Sequence, residues 1–296
     1  MTDVLPGRRA RRDPEVTQLL PRPLRTLVIA VLLAVVGAPM LYMVLASVNS
    51  DLAVARGAVL PTGLHLDNYV RIWSTVSLDR GLVNSVAVAG TVAVVCALVA
   101  VCSAYVLVLH GFRGRLAILR GLLALQTIPG TLVLLPVFVL FASASTALGI
   151  QVIGTRWALF VTYLTFSLPF STWVMVTYLR GLPRELDEAA RIDGASSWRI
   201  LTRIITPLSW PGLVVSAIFA FLLGWNDVLF ASVLTNPDTR TAAVALQVFG
   251  ATQEGGAIPV YGQLMAAALV CALPVVVVYL VFQRYLVSGL AAGGVK

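Results

Sequence analysis

Six separated stretches of this chain are apolar over lengths that a soluble helix does not need, and they limit the fold more than any other feature. They run from Thr26 to Val48, Leu82 to Leu109, Leu116 to Ala142, Trp157 to Leu179, Leu213 to Thr235 and Gly262 to Leu286. A helix crossing the hydrocarbon core of a bilayer needs about 20 predominantly apolar residues, and each stretch supplies them. Backbone polar groups in hydrocarbon must be satisfied within their own segment, so each run is read as a helix. Composition supports this: 59% of the 296 residues are apolar, only 11% are charged, and the mean hydropathy is +0.92. So few charges cannot cover a water-facing surface. The expected fold is an all-α polytopic membrane protein.

Orientation follows from the basic residues. With the N-terminus on the cytoplasmic side, that side holds sixteen of the 21 Lys and Arg residues. They are Arg8, Arg9, Arg11, Arg12, Arg22 and Arg25 in the leading segment; Arg113, Arg115 and Arg120; Arg180, Arg184, Arg191, Arg199 and Arg203; and Arg284 and Lys296. The other side holds five: Arg56, Arg71, Arg80, Arg156 and Arg240. Positive charge is retained in the cytoplasm, which places both termini there. Residues 1–25, rich in Arg and with no cleavage pattern at a signal-peptide distance, read as a cytoplasmic tail. The net charge of +8 lies beside apolar spans, an arrangement that argues against nucleic acid as a partner.

The external segments Asn49–Gly81 and Asn236–Tyr261 are too short for independent domains. The first ends in an amphipathic stretch whose Tyr69 and Trp73 suit the headgroup level. Pro39, Pro129, Pro136, Pro169 and Pro274 fall within the apolar runs and predict bends. Cys96, Cys102 and Cys271 read as small hydrophobes, and neither they nor the isolated His65 and His110 form a metal-ligand pattern. An intramembrane enzyme needs a nucleophile–base pair or a metal cluster, and no such constellation is present, so no catalytic residue is assigned.

Polar residues inside spans are expensive and therefore informative. Asp227 is the one acid within a run, beside Asn226; Asn84 and Ser85 open the second run, and Gln126 and Thr127 lie in the third. Asn84, Gln126, Asn226 and Asp227 are candidates for a translocation pathway or gate, with interhelical hydrogen bonding as the alternative use of the same groups.

One stretch interrupts the pattern: Glu185–Pro211, ELDEAARIDGASSWRILTRIITPLSWP, within a loop of residues 181–211. Pro183 fits a helix start, and Glu185, Asp187 and Glu188 suit the positive end of a helix over 184–192. Leu186, Ala189 and Ala190 are expected on one face that admits a close partner. Gly194 sits where a helix C-terminus takes a left-handed residue, and Ser196 or Ser197 can cap a second helix. In that helix Trp198, Leu201, Ile204 or Ile205, and Leu208 form an apolar stripe against the spans until Pro207 and Pro211 break it. A DNA-reading helix-turn-helix is excluded because the arginines are flanked by acids.

The spacing Glu188-Ala189-Ala190, then Gly194, Ile204 and Pro207 resembles the EAA motif of bacterial ABC-importer permeases, and AARIDGASSW is similar to the carbohydrate-uptake, maltose-type branch. Pro61 with Asp67-Asn68-Tyr69 and Trp73, Asn84-Ser85, Trp225-Asn226-Asp227, Gln283-Arg284, Gly289-Leu290 and the ending Ala292-Gly293-Gly294-Val295-Lys296 extend the resemblance over residues 26–296. Thr206 departs from the Leu that the family usually has there. The resemblance implies the six-helix type I ABC-importer permease architecture with a cytoplasmic coupling helix-turn-helix. Glu188, Ala189, Ala190, Asp193, Gly194, Ile204 and Pro207 would then be the ATPase-coupling residues, and the tail Gly289–Lys296 would reach the ATPase dimer. It also implies two ATPase subunits carrying ATP and Mg, a second homologous permease, an extracytoplasmic solute-binding protein and residence in a bacterial inner membrane. The absence of any G-x-x-x-x-G-K-[ST] agrees with ATP being held by another chain. The expected function is sugar import by alternating access, with import of another solute such as glycerol phosphate, or secondary transport, as alternatives. Secondary transport expects ionisable residues along the spans and often an inverted repeat; one buried acid and no evident repeat count against it.

Overall fold

The computed structural model describes residues 21–254 and 260–294, with side chains described except in 252–254 and 286–294. Helix α1 (Arg22–Ser47) begins directly after Pro21, with Pro23 in its first turn, where a missing N–H costs nothing. Its start lies upstream of the expected Thr26. Short helices α2 (Asp51–Ala55) and α3 (Asn68–Thr75) form the first connection, and α4 (Leu78–Leu109) is the second span. The third apolar run is divided into α5 (Arg115–Leu125) and α6 (Gly130–Leu148), and α7 (Arg156–Arg180) follows. Helix α8 (Glu185–Ile192), α9 (Ser197–Ile200), a π-helical turn (Leu201–Ile205) and α10 (Thr206–Leu208) make up the interrupting stretch. The chain closes with α11 (Trp210–Asn226), α12 (Leu229–Leu234), α13 (Ala242–Glu254) and α14 (Tyr261–Gly294).

Among the described residues, five helices are long and apolar enough to cross a membrane, or six if Ser197–Leu208 and Trp210–Asn226, bent by 79°, count as one span. Two expected spans differ from the observed ones. Leu116–Ala142 is broken because Pro129 disfavours helix at Ile128; Pro129 is extended at the start of α6, which then runs on to Leu148. Leu213–Thr235 is broken because Asp227 leaves the helix and turns its carboxylate onto the next one. The segment Asn236–Tyr261, expected as loop, contains α13, whose Ala242, Val244 and Ala245 are buried near the start of α4.

Helices α4, α7 and α11 pack together as the central bundle. Small residues let them approach: Ala97, Ala100 and Ala104 of α4 share one cluster with Met175, Val176 and Leu179 of α7 and Leu213 of α11. At Gly212 a Cβ would stand 2.8 Å from Cγ of Tyr178, so α11 meets α7 closely enough there to require glycine. Cys96 is buried in a second cluster with Leu159, Tyr163 and Ala220. Helix α1 is unlike these: none of its apolar window is buried, and only 6% of that of α6 is, which leaves both for lipid or another chain.

At the end of the molecule opposite α8, polar side chains tie the connections down. Asp51 accepts hydrogen bonds from the Gly262 and Gln263 N–H groups (2.8 and 3.3 Å) and from the Gln263 amide (3.1 Å), so it caps the first turn of α14. Asn68 donates to the carbonyls of Ser47 and Asn49, both at 2.9 Å. Tyr69 is held by Ser47 Oγ at 2.8 Å, which draws it toward the protein, whereas Trp73 is exposed as expected.

Candidate functional site

The stretch after α7 is built by local chemistry. Gly181 ends α7, and Glu185, Asp187 and Glu188 occupy the first turn of α8, where the helix dipole favours acids. The C-terminus closes as a Schellman motif: Gly194 N–H bonds to the Arg191 carbonyl at 3.1 Å and Ala195 N–H to the Ala190 carbonyl at 2.9 Å. Gly194 has φ +76°, in the left-handed region expected for it. Of the two serines proposed as caps, Ser196 serves: its Oγ accepts from Arg199 N–H at 3.3 Å.

The second helix departs from the expected stripe. Ile200, Leu201, Ile205 and Ser209 are buried, Ile204 is half-buried, and Trp198 and Leu208 are exposed. The cause is the π-turn, in which Thr206 N–H reaches back to the Leu201 carbonyl and shifts the phase of the residues after it. Pro207 follows immediately: its ring would clash with the Arg203 carbonyl in a regular helix, and the wide turn gives it room. Ser209 then bonds the Ile205 carbonyl at 2.7 Å, and the chain bends into α11.

The result is a hairpin whose inner side joins the central bundle. Ala190, Ile200, Leu201 and Ile205 belong to the same buried cluster as Tyr105 of α4, Leu179 of α7 and Leu213 of α11. The expected face of Leu186, Ala189 and Ala190 is therefore divided, since Ala190 packs inward while the other two are exposed. The outer side presents Glu188, Ala189, Asp193 and Gly194, together with Ile192 at 86% exposure and Trp198 at 68%. Large apolar side chains projecting beside acids at a protruding turn are a pattern of interaction surfaces.

An ion pair between a buried acid and an exposed arginine underlies this turn, and the sequence analysis does not assign it. Asp187 is 8% exposed. Arg191 Nε donates to its Oδ2 at 2.8 Å and Nη2 to its Oδ1 at 3.3 Å, while the Tyr105 hydroxyl donates to Oδ1 at 3.3 Å. Arg191 Nη2 also donates to the Tyr105 oxygen at 3.4 Å. The hydrogen bond to Asp187, and then its charge, raise the Arg191 guanidinium above its ordinary pKa. The i,i+4 spacing of acid and base was readable as a helix pair; Tyr105, 82 residues away from Asp187, was not.

The four polar residues within spans separate into two kinds. Asn84 is buried, and its amide donates to the carbonyls of Asp238 (3.0 Å) and Arg240 (2.8 Å), while Ser85 Oγ accepts from Ala242 N–H at 2.9 Å. The pair clamps the connection before α13 onto α4. Asp227 is half-buried and accepts from the Tyr163 hydroxyl (2.7 Å), Ala231 N–H (3.0 Å) and Phe230 N–H (3.4 Å), joining α7 to the start of α12. Gln126 and Asn226 are exposed; their amides reach the carbonyls of Phe166 (3.3 Å) and Leu222 (2.9 Å). The tail is helical through Gly294, and Val295 and Lys296 lie outside the described residues.

Residues 91–291 match the family described as "Binding-protein-dependent transport system inner membrane component". The chain is 33% identical over 271 residues to the trehalose/maltose transport system permease protein MalG of Thermococcus litoralis, covering 90% of this chain and 94% of the relative. It is 30% identical to the trehalose transport system permease protein SugB of Mycobacterium tuberculosis, covering 87% and 92%. In structure it is similar to a chain of a bacterial ABC transporter involved in the import of the acidic polysaccharide alginate, with a TM-score of 0.71, 22% identity, and coverage of 90% and 98%.

Proposed function

The chain belongs to the family of inner membrane components of binding-protein-dependent transport systems, and from that premise we propose that it is the membrane-spanning permease subunit of an ATP-driven importer for a sugar. The observation that carries this reading is the α8–Gly194–α9 hairpin, exposed on one side and packed into the three central spans on the other. Such an element can receive a push from a bound partner and pass it to α4, α7 and α11 together.

The partner that supplies the push is a separate ATPase subunit holding ATP and Mg. Glu188, Ala189, Asp193 and Gly194, with Ile192 and Trp198, form the docking surface; Ala190 and Ile204 support it from within, and the exposed Pro207 follows the π-turn that sets its second helix. Two such ATPase subunits and a second homologous permease complete the transporter, and the exposed apolar faces of α1 and α6 are open to that permease or to lipid. A solute-binding protein delivers the cargo from outside, as supported by a structural relative, a bacterial alginate ABC transporter in complex with an alginate pentasaccharide-bound periplasmic protein. A sugar is favoured because the curated relatives carry trehalose or maltose in their names. Of the pathway candidates, Gln126 and Asn226 keep exposed amides and are those we propose for the path, while Asn84 and Asp227 hold the elements around it. The chain resides in a bacterial inner membrane, with the Arg-rich hairpin end and both termini on its cytoplasmic side.

The test is purification and reconstitution. An ATPase that co-purifies with the chain, and uptake from a panel of sugars that requires ATP, are the expected results. Sugar uptake by the purified chain alone, driven by a proton or sodium gradient, would overturn the reading.

A further inference from the structure

We propose that Asp187, bridged by Arg191 and the Tyr105 hydroxyl, is a positioning latch that couples α8 directly to the second span, α4. The inference rests on the coupling role proposed for the hairpin and adds to it a defined route. By chain connection α8 is joined only to α7 before it and α9 after it; nothing in the covalent order links it to α4. The latch supplies that link near the last turn of α4, and it is the polar contact the structure gives between these two helices.

Three features suit it to transmit a displacement. The carboxylate is buried on the inner side of α8, facing away from the surface formed by Glu188, Ala189 and Ile192, so a docked partner does not compete for it. Both of its oxygens are engaged, Oδ2 by Arg191 Nε and Oδ1 by Arg191 Nη2 and Tyr105, which fixes its rotamer and the direction in which it pulls. Tyr105 is 3% exposed within the cluster shared by α4, α7 and α9, and His110 meets its ring edge-on at 5.4 Å, so its hydroxyl is held in place from the α4 side. Arg191 remains 43% exposed and can stay hydrated if the contact with Tyr105 is remade, which allows the bridge to shift without stranding its cation. Cys102, exposed on α4 one turn before Tyr105, offers a native reporter site.

The experiment uses the complex of this chain with its ATPase, reconstituted in liposomes, with an environment-sensitive fluorophore on Cys102 of α4, or in a second preparation on Trp173→Cys of α7 combined with Cys102→Ala so that only α7 is labelled. MgATP is the probe, so no knowledge of the sugar is needed. In Tyr105→Phe and Asp187→Asn, the nucleotide-dependent change on α4 is expected to fall about three-fold or more while that on α7 and the retention of ATPase are kept. Combining the two substitutions should lower the α4 signal little further than either alone, because both remove one contact. Asp187→Glu should restore part of it. An unchanged α4 signal in Tyr105→Phe and Asp187→Asn would overturn the latch. So would an equal fall at α4 and α7 together with lowered thermal stability, since that assigns Asp187 to folding. If the unaltered complex shows no MgATP response on either helix, or no ATPase co-purifies, it is the coupling function itself that fails.

Discussion

At Gly194 the backbone, and not crowding, demands glycine. Its φ is +76°, and a Cβ placed there would meet nothing within 4 Å. Replacement therefore costs only the strain of an L-residue in the left-handed region, about 1–2 kcal/mol, and more for a β-branched one. Gly194→Val should distort the Schellman closure and lower ATPase co-purification and uptake several-fold while the chain still inserts. Gly194→Asn, which tolerates that conformation, should stay close to the unaltered protein. Equal ATPase retention in the Val and Asn variants would sink the argument. Gly212 makes the opposite case: there a Cβ would stand 2.8 Å from the Tyr178 ring carbon. Gly212→Ala should destabilise the bundle by about 1–3 kcal/mol through overpacking, read as a lowered Tm in detergent, with the hairpin itself intact. Gly194 could be found in the sequence because its demand is local, three residues beyond Arg191 in one helix end. The task of Gly212 depends on Tyr178, 34 positions back in another span, and no local pattern carries that information.

At the level of elements, the hairpin was legible, whereas Pro129 announced a bend but not a full break and Asp227 announced neither, for one physical reason. Helix start, acidic first turn, glycine closure and serine cap all act within four or five residues, so the order of residues 183–199 specifies them. A hydropathy window averages over about 19 residues and passes unaltered across Pro129 or Asp227, where the helices end. The phase of the second hairpin helix also departs from the expected stripe, because a π-turn ahead of Pro207 moves Ile205 inward and leaves Leu208 outside. Asp227 illustrates what such a break is for. Its carboxylate leaves α11 to receive the Tyr163 hydroxyl and two N–H groups of α12. Asp227→Ala should cost about 0.5–2 kcal/mol as a lost cap, and more because the buried Tyr163 hydroxyl loses its partner. Tyr163→Phe removes the shared bond without leaving an orphan and should cost less. A double-mutant cycle on thermal unfolding measures the coupling, and strictly additive effects would show that the 2.7 Å contact contributes nothing.

For the whole molecule, the two ends differ in chemistry, and the orientation we propose in the membrane rests on that difference. One end carries the hairpin with Arg184, Arg191, Arg199 and Arg203; the other carries α2, α3 and the connection clamped by Asn84, where Arg80 is paired with Asp238 at 3.0 Å. The sixteen-to-five division of basic residues favours the hairpin end in the cytoplasm by far more than one or two charges could reverse. The orientation is testable with single cysteines in a background where Cys96, Cys102 and Cys271 are replaced by alanine, with thermal stability checked first because Cys96 and Cys271 are buried within helices. Ile192→Cys, on the most exposed large apolar side chain of the hairpin, should resist a membrane-impermeant maleimide in intact cells and react once the membrane is opened and the ATPase stripped away. Asp238→Cys, at the opposite end and likewise exposed, should react in both conditions. Labelling of Ile192→Cys in intact cells would place the hairpin outside, where no ATPase could reach it, and the coupling role would fall with the topology. Protection of both sites would instead mean that the connection before α13 is covered, as a docked binding protein or second permease would cover it, and removal of those partners should then expose Asp238→Cys alone.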